Sequence, residues 1–524
     1  MIGHIHFDRS GLPNNISEFL VDRDKISAVL RNRYVKIEGD GKTFIGRVVE
    51  GPFYIPEEVG RDSAVAQTTI IKGDQFPVTP NYYALGRIEI FGELVDNRLV
   101  ATNTRPTPKS KVAELEQKEV SELIGVEGDL YMGKIVGYDQ ADIYLNSQNK
   151  KVLPRNIGIF GTVGSGKTNT AQVIIEEASK AEYAVIVVDV EGEYVGMDNP
   201  TKELIEKLKK YKRRPNGLSD FSVYYPCCGD VPLVDGKKRR GARKFDIKFS
   251  SVDLYVLFEL VQATEPQQRG LSNLVDELEK KKKTAKKKSK AVQFIEGTSF
   301  EEHDYTIGEA TKTLFSMIND RKIVKATGYA LVGKIKQLER LGIFDRDVGE
   351  IDVNELLEPG KVSVIDVSSS SDYVKNVVIA SILRKIFLRK LEAPDKTPKT
   401  LLLIEEAHTF ISREARDKMT STIDMLKIIA RRGRKRWLCL GFISQQPSHL
   451  PQEIFELCNT RIVHSIKSRG NINAIKDTTG GVIEEIWSAV PALSVGQALA
   501  ISPQFKHPVL IDVKPCETKR EFID

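Results

Sequence analysis

Cysteine is scarce in this sequence. The 524 residues contain five cysteines, and no two of them have the spacing of a Cys-x-x-Cys motif. Neither a zinc site nor a disulfide framework is therefore expected, and the composition favours a reducing, intracellular setting.

Long hydrophobic runs are also missing. No window approaches the ~18 consecutive apolar residues of a membrane-spanning helix, and residues 1–8 lack the basic start and apolar core of a signal peptide. We therefore expect a cytoplasmic protein without membrane insertion. Hydrophobic residues make up 41% and charged residues 29% of the chain, which is typical of globular proteins, and the length predicts two to four domains. The net charge of +6 is compatible with a polyanionic partner but does not by itself indicate one.

A phosphate-binding motif is the clearest signal in the chain. Residues 161–168, Gly-Thr-Val-Gly-Ser-Gly-Lys-Thr, match the pattern GxxxxGK[ST] at every fixed position. An apolar run at Ile157–Phe160 precedes the motif, and a helical pattern at Thr170–Ser179 follows it. The glycines let backbone N–H groups turn toward phosphates at the positive end of the helix, while Lys167 supplies charge and Thr168 offers a hydroxyl to Mg²⁺. The residues predicted to bind the nucleotide are Gly161, Thr162, Val163, Gly164, Ser165, Gly166, Lys167, Thr168 and Asn169.

Two adjacent acids follow another apolar run. Leu401–Ile404 reads as a buried strand, and Glu405 and Glu406 come directly after it, where doubly wound sheets bind ligands. One acid can orient the water shell of Mg²⁺ and the next can polarise an attacking water, so we assign Glu405 to the metal and Glu406 to catalysis. Asp366 ends a third strand, but Ser368–Ser371 follow it without a second acid. Glu405 and Glu406 are therefore preferred.

Polar residues end two further strands. Asp189-Val-Glu-Gly-Glu193 follows the strand after the phosphate-loop helix, and Glu193 is either near the metal and water or a loop-capping acid. Gln445 follows Leu438–Ile443 and either senses a γ-phosphate or is an ordinary turn residue.

A basic cluster lies at residues 431–436, Arg-Arg-Gly-Arg-Lys-Arg. Either a nucleic-acid-binding surface or an arginine that contacts the phosphate of a bound nucleotide would explain this cluster. A guanidinium at the γ-phosphate stabilises charge that develops in the transition state. If that arginine comes from a neighbouring subunit, hydrolysis requires a ring.

The distribution of patterns predicts three regions. Residues 1–110 contain short β-rich runs separated by turn signals, which predicts an N-terminal β-barrel domain. Strands alternate with helices in 125–200 and 350–515, which together with the phosphate-binding motif predicts an α/β P-loop ATPase core with a parallel sheet. Residues 201–349 are predicted to be a mainly helical insertion with a basic, lysine-rich linker at 280–290. A short helix is predicted at Val112–Ile124.

Together these motifs resemble the HerA/FtsK superfamily of ring-forming P-loop ATPases, and most closely the HerA-type DNA helicases and translocases. The resemblance covers about residues 125–513, and the N-terminal β-rich region is similar in kind to the small barrel of HerA proteins. It is carried by residues 161–170, 189–194, 404–410, 429–435, 443–447 and 493–500.

The resemblance implies a homohexamer that encircles double-stranded DNA, holds ATP and Mg²⁺ between subunits and works with a NurA-like nuclease on DNA ends for recombination. It implies that Lys167 contacts phosphate, Glu406 activates water, Gln445 is a sensor and Arg434 reaches the neighbour's site. Two departures are visible: Arg432 stands where the family often has an acid, and little sequence follows Pro515, where some members carry a bracing extension.

Two other functions stay open at this point. A related motor could move protein or conjugative DNA through a secretion channel, although the absence of a membrane span in the sequence lowers this alternative. A nucleotide-gated scaffold for an antiviral effector nuclease would use the same residues with slow turnover. Candidates for DNA contact are Lys467, Arg469 and the lysine-rich run.

Overall fold

The computed structural model describes the chain except residues 9–10, 58, 61, 73–80, 97, 253, 283–291, 294–298, 301–304, 395, 408–419 and 522–524. Most of the lysine-rich run 280–290, and the end of the motif at 404–410, therefore lie outside the described residues. The chain divides into two compact units. Unit 1 contains residues 1–145 and 479–513, and unit 2 contains residues 146–478 and 514–524.

The strands, numbered along the chain, are β1 Gly3–Ile5, β2 Ile16–Val21, β3 Tyr34–Gly39, β4 Lys42–Pro56, β5 Tyr82–Val95, β6 Arg98–Val100, β7 Lys111–Glu114, β8 Leu130–Ile135, β9 Asp142–Leu145, β10 Asn156–Phe160, β11 Ala184–Asp189, β12 Phe221–Pro226, β13 Leu233–Val234, β14 Lys237–Lys238, β15 Arg243–Phe245, β16 Val292–Gln293, β17 Ser299–Phe300, β18 Val362–Asp366, β19 Thr400–Ile404, β20 Leu438–Ser444, β21 Cys458–Val463, β22 Gln497–Ile501 and β23 Val509–Val513.

The helices are α1 Ala64–Lys72, α2 Gln117–Ile124, α3 Lys167–Lys180, α4 Ile205–Lys210, α5 Leu254–Leu260, α6 Glu265–Lys282, α7 Ile307–Asn319, α8 Lys325–Arg340, α9 Val353–Leu356, α10 Asp372–Glu392, α11 Thr420–Arg432, α12 Gln452–Phe455, α13 Arg469–Lys476 and α14 Glu484–Ala489. In the described part of the chain no helix is long and apolar enough to cross a membrane.

The first part of unit 1 is a closed six-stranded antiparallel barrel. Its strand order is β2-β1-β7-β3-β4-β5, and β5 pairs back with β2. Apolar side chains such as Phe19, Val35 and Ile37 fill the interior because alternate residues of each strand point inward. The predicted N-terminal barrel is thus confirmed.

The short helix predicted at Val112–Ile124 was wrong in its first part. Lys111–Glu114 form strand β7, which pairs with β1 and with β3 and so completes the barrel. The helix α2 begins at Gln117, where Glu116 and Glu119 form a reciprocal capping box. Long-range strand pairing overrides the local helical pattern here.

The rest of unit 1 includes a small antiparallel sheet. β9 pairs with β8, β8 with β23, and β23 with β22. The region 493–500 that resembles a final family strand contributes β22.

Unit 2 is built on a parallel sheet. Its strand order is β15-β12-β18-β11-β19-β20-β10-β21, and all of these pairings are parallel. The five central strands predicted from sequence, and the strand before the phosphate loop, are all present and buried. Because parallel strands end at one edge of a sheet, their carboxyl ends bring the loops after them together. The α/β P-loop core is confirmed.

Residues 201–349 contribute to this sheet as well as to helices. β12 pairs with β18, and β15 pairs with β12, so two strands from this range extend the sheet. The helices α6, α7 and α8 of the same range pack against one another.

Candidate nucleotide-binding site

The phosphate loop is a tight turn between β10 and α3. Gly164 and Gly166 have φ of 73° and 112°, values that favour glycine. A Cβ added at Gly161 would lie 2.5 Å from Ser165 Oγ, so the loop has no room for a side chain there. Ser165 Oγ donates to Thr162 O at 2.7 Å and closes the turn.

Lys167 lies at the base of this loop. Its residue is 7% exposed, and its Nζ donates to Thr162 O at 3.0 Å. Burial lowers the pKa of Lys167, while the charges of Glu406, Glu193 and Glu405, in that order, oppose the shift. The ammonium is therefore placed among carboxylates at the entrance to helix α3.

The start of α3 fits a polyphosphate. The first N–H groups of a helix have no intrahelical partner, and they follow the left-handed Gly166 in this loop. Thr168 is half-buried in the first turn, and Val163 at the tip is exposed. The side chain of Asn169 turns elsewhere: its Nδ2 donates to Lys514 O at 2.8 Å, and its Oδ1 accepts from Cys516 N at 2.9 Å. Asn169 can thus face a ligand through its backbone N–H.

Two predicted catalytic residues meet beside the loop. Gln445 Nε2 donates to Glu406 Oε1 at 2.6 Å. Glu406 follows β19 and Gln445 follows β20, and these neighbouring strands pair with Ile404 opposite Phe442. Glu406 is buried and has φ of 42°, a left-handed conformation that is uncommon for a residue with a side chain and is characteristic of functional sites.

Glu405 is turned toward the loop after β11. Its Oε2 accepts from the N–H groups of Val190 and Glu191 at 3.2 and 3.3 Å. Burial, with the neighbouring charges of Asp189 and Glu193, raises the pKa of Glu405 well above its usual value. Burial, followed by the charge of Asp366, raises the pKa of Asp189 to about 7. Glu405 also hydrogen-bonds to Asp189, and burial favours the protonated form of both acids.

The loop-capping acid is Asp189, not Glu193. The Asp189 carboxylate accepts from the N–H groups of Gly192, Glu193 and Tyr194 at 2.7, 3.1 and 2.9 Å. Glu193 instead forms an ion pair with Arg520, whose Nη2 lies 3.0 Å from Glu193 Oε1.

No sequence pattern indicated a role at this site for the C-terminal segment of unit 2, residues 514–521. Glu176 Oε1 on α3 accepts from the N–H groups of Glu517 and Thr518, each at 2.8 Å. Lys514 is fully buried beside Glu176, Glu177 and Glu517. The available signal was a helix with acids and an amide among its apolar residues, which implies polar partners in the fold.

Arg434 lies away from the pocket of its own chain. It is exposed on a 3-10 turn, Gly433–Arg436, just before β20. Phe160, the residue before the phosphate loop, pairs with Ser444 at the far end of β20. β20 has 7 residues, which at ~3.3 Å per residue separates the two ends by about 20 Å. The structure therefore groups Lys167, Glu406 and Gln445 but not Arg434.

The chain is similar in sequence to known helicases. A family model described as the central domain of the helicase HerA matches residues 130–386. The probable DNA double-strand break repair helicase HerA of Methanocaldococcus jannaschii is 22% identical over 459 residues, covering 82% of this chain and 85% of that protein. The DNA double-strand break repair helicase HerA of Sulfolobus acidocaldarius is 22% identical over 499 residues, covering 93% of this chain and 89% of that protein.

A solved structure of VirB4 from Thermoanaerobacter pseudethanolicus aligns with a TM-score of 0.49 at 15% identity, covering 74% of this chain and 96% of that one. Residues 130–386, which include the phosphate loop and its strand, thus match the central domain of the helicase HerA, and the chain as a whole is similar to HerA helicases.

Proposed function

We propose that the chain is an ATP-driven motor that works as a homohexamer on double-stranded DNA, translocating along it or unwinding it. The observation that carries this proposal is the grouping of Lys167, Glu406 and Gln445 at one strand edge. The similarity to HerA double-strand break repair helicases supports DNA as the partner. The proposed partner protein is a NurA-like nuclease, which would act with the motor in DNA-end resection and recombinational repair.

Each pocket residue has a distinct task in the proposed hydrolysis. The N–H groups of the loop and the Lys167 ammonium hold the phosphates. The Thr168 hydroxyl and, through a water molecule, Glu405 would hold a bound Mg²⁺, which would supply positive charge to the phosphates. Glu406 accepts the proton of the attacking water, and Gln445 fixes the orientation of the Glu406 carboxylate through their hydrogen bond.

The transition-state arginine comes from a second protomer in this proposal. Arg434 is exposed and about 20 Å from its own phosphate loop, so we propose that it acts at the γ-phosphate of a neighbour's site. Sites shared between protomers couple hydrolysis to ring assembly.

The proposed DNA contacts are Lys467, Arg469 and the lysine-rich run 280–290. Lys467 lies in the connection from β21 to α13 and Arg469 begins α13, and both are exposed at the strand edge that carries the phosphate loop. Lysine and arginine side chains at such a position can bind the DNA backbone without reading its sequence.

The test is ATP hydrolysis with and without duplex DNA. Hydrolysis by the wild-type chain should rise with DNA, and Glu406→Gln should bind ATP without turning it over. The double variant Lys467→Ala, Arg469→Ala should lose DNA stimulation and keep basal hydrolysis. A charge-matched control is Lys207→Ala, Lys210→Ala on α4, where both side chains are exposed.

Two results would contradict the proposal. If Lys167→Ala hydrolysed ATP at the wild-type rate, the assignment of the nucleotide site to these residues would be contradicted. Failure of the wild-type ring to displace a protein roadblock from duplex DNA during hydrolysis would favour a nucleotide-gated scaffold over a motor.

A further inference from the structure

The C-terminal segment of unit 2 joins two walls of the nucleotide site. At one end Asn169 and Glu176 of α3 bind the backbone of residues 514–518. At the other end Glu521 N donates to Glu193 O at 3.2 Å, in the loop after β11. The segment therefore connects the helix of the phosphate loop with the loop that carries Glu193.

This connection brings an arginine to the site. Arg520 Nη2 lies 3.0 Å from Glu193 Oε1, and both side chains are largely buried. The charges of both residues act on Lys167, that of Glu193 attracting its ammonium and that of Arg520 repelling it. Two cations and one carboxylate thus act on one another near the loop where the phosphates are proposed to bind.

The hydrogen bonds show how these charges are shared. Lys167 Nζ donates to the Thr162 carbonyl, whereas the Glu193 carboxylate is held by Arg520. An unrestrained carboxylate at this place would attract the Lys167 ammonium and would repel a polyphosphate. The pair with Arg520 removes both effects.

We propose that Arg520 is a positioning residue of the nucleotide site, which holds the Glu193 carboxylate in an ion pair and so keeps Lys167 available for the phosphates. This inference rests on the proposed nucleotide binding by the same loop. It assigns a role in ligand binding to a residue more than 350 positions from Lys167.

The variants follow from this charge arrangement. Arg520→Gln leaves the Glu193 carboxylate unpaired beside Lys167, so the affinity for nucleotide should fall about tenfold, which is equivalent to about 1.4 kcal/mol. Glu193→Gln should bind nucleotide at least as tightly as the wild-type chain does, because it removes the carboxylate and leaves the Arg520 cation in place. The double variant Glu193→Gln, Arg520→Gln should regain wild-type affinity because the harmful charge is gone.

A matched control separates this role from simple anchoring of the segment. Lys519 is the neighbouring residue and pairs with Asp235 and Glu521. Lys519→Gln removes an ion pair from the same segment without exposing a carboxylate to Lys167. If Arg520 only anchored the segment, Lys519→Gln would weaken binding to a similar degree.

The experiment is calorimetric titration of the full chain and its variants with a non-hydrolysable ATP analogue and Mg²⁺. Weak binding by Arg520→Gln, rescued by the added Glu193→Gln and not reproduced by Lys519→Gln, is the expected result. Wild-type affinity in Arg520→Gln, or no rescue in the double variant, would overturn the role of Arg520. The same titration tests the nucleotide site separately. The assignment of that site is contradicted if the wild-type chain does not bind the analogue, or if Lys167→Ala binds it equally well.

Discussion

Replacing Lys514 with methionine should destabilise unit 2 strongly. Its ammonium is fully buried and lies 3.3, 3.3 and 3.2 Å from carboxylates of Glu176, Glu177 and Glu517. Methionine keeps most of the apolar stem but leaves the buried acids without their central cation. Breaking a buried ion pair in this way costs about 3–5 kcal/mol in free energy of unfolding.

Lys180 supplies a control with two of the same partners. Its Nζ lies 2.9 Å from Glu177 and 3.1 Å from Glu517, but its side chain is 43% exposed. Solvent screens such a pair, so Lys180→Met should cost at most about 1 kcal/mol. Burial, rather than the number of contacts, makes the difference between these two lysines.

The assay is urea unfolding followed by tryptophan fluorescence. Of the two tryptophans, Trp437 lies in unit 2 and Trp487 in unit 1, so measurements in a Trp487→Phe background follow unit 2. Equal losses of stability in Lys514→Met and Lys180→Met would refute the reasoning.

The pH provides a second check on the same variant. Burial raises the pKa of Glu176 and the charge of Lys514 opposes that shift, so without Lys514 this acid should bind its proton still more tightly in the folded state. The contribution of Glu176 to stability is therefore present at low pH and lost as the pH rises. The deficit of Lys514→Met should shrink between pH 8 and pH ~5, and a constant deficit would contradict the assignment.

Two further outcomes are expected. Glu405→Gln mimics the protonated acid, whose pKa is raised by burial beside Asp189. The wild-type chain should lose stability as the pH rises above the ordinary glutamate value of ~4.5, and the variant should retain that stability. Thermal unfolding from pH 5 to 8 should therefore show a widening advantage for Glu405→Gln, and parallel curves would count against the raised pKa. Gly433→Ala places a Cβ 2.7 Å from Leu438 O and displaces the turn that carries Arg434. DNA-stimulated hydrolysis should therefore fall, while binding of the ATP analogue stays unchanged. Unchanged hydrolysis would show that the position of this turn is unimportant.

The sequence was sufficient for the elements whose signal is local. The GxxxxGK[ST] pattern predicted the phosphate loop, and buried apolar runs predicted β11, β18, β19, β20 and β21. Since parallel strands end at one edge, the proximity of Glu406 and Gln445 followed from strand ends alone. Their hydrogen bond required the order β19-β20-β10, which no local pattern encodes.

Contacts between distant residues were not predictable in the same way. β7 looked helical because its partners, β1 and β3, lie far from it in sequence. Glu176 and Glu177 indicated a polar partner, but the ammonium of Lys514 is more than 330 positions away. Nothing in the local sequence of Arg520 marks it as the partner of Glu193.

The sharing of one active site by two protomers is the central claim, and mixing two inactive variants tests it most directly. Glu406→Gln lacks the proposed water-activating acid, and Arg434→Ala lacks the proposed arginine, so each ring alone should be inactive. In a mixed ring, an Arg434→Ala protomer keeps Glu406 and can receive Arg434 from a Glu406→Gln neighbour. We predict that equimolar co-assembly restores hydrolysis at roughly a quarter of the sites, whereas mixed rings that stay as inactive as their parents would contradict the account.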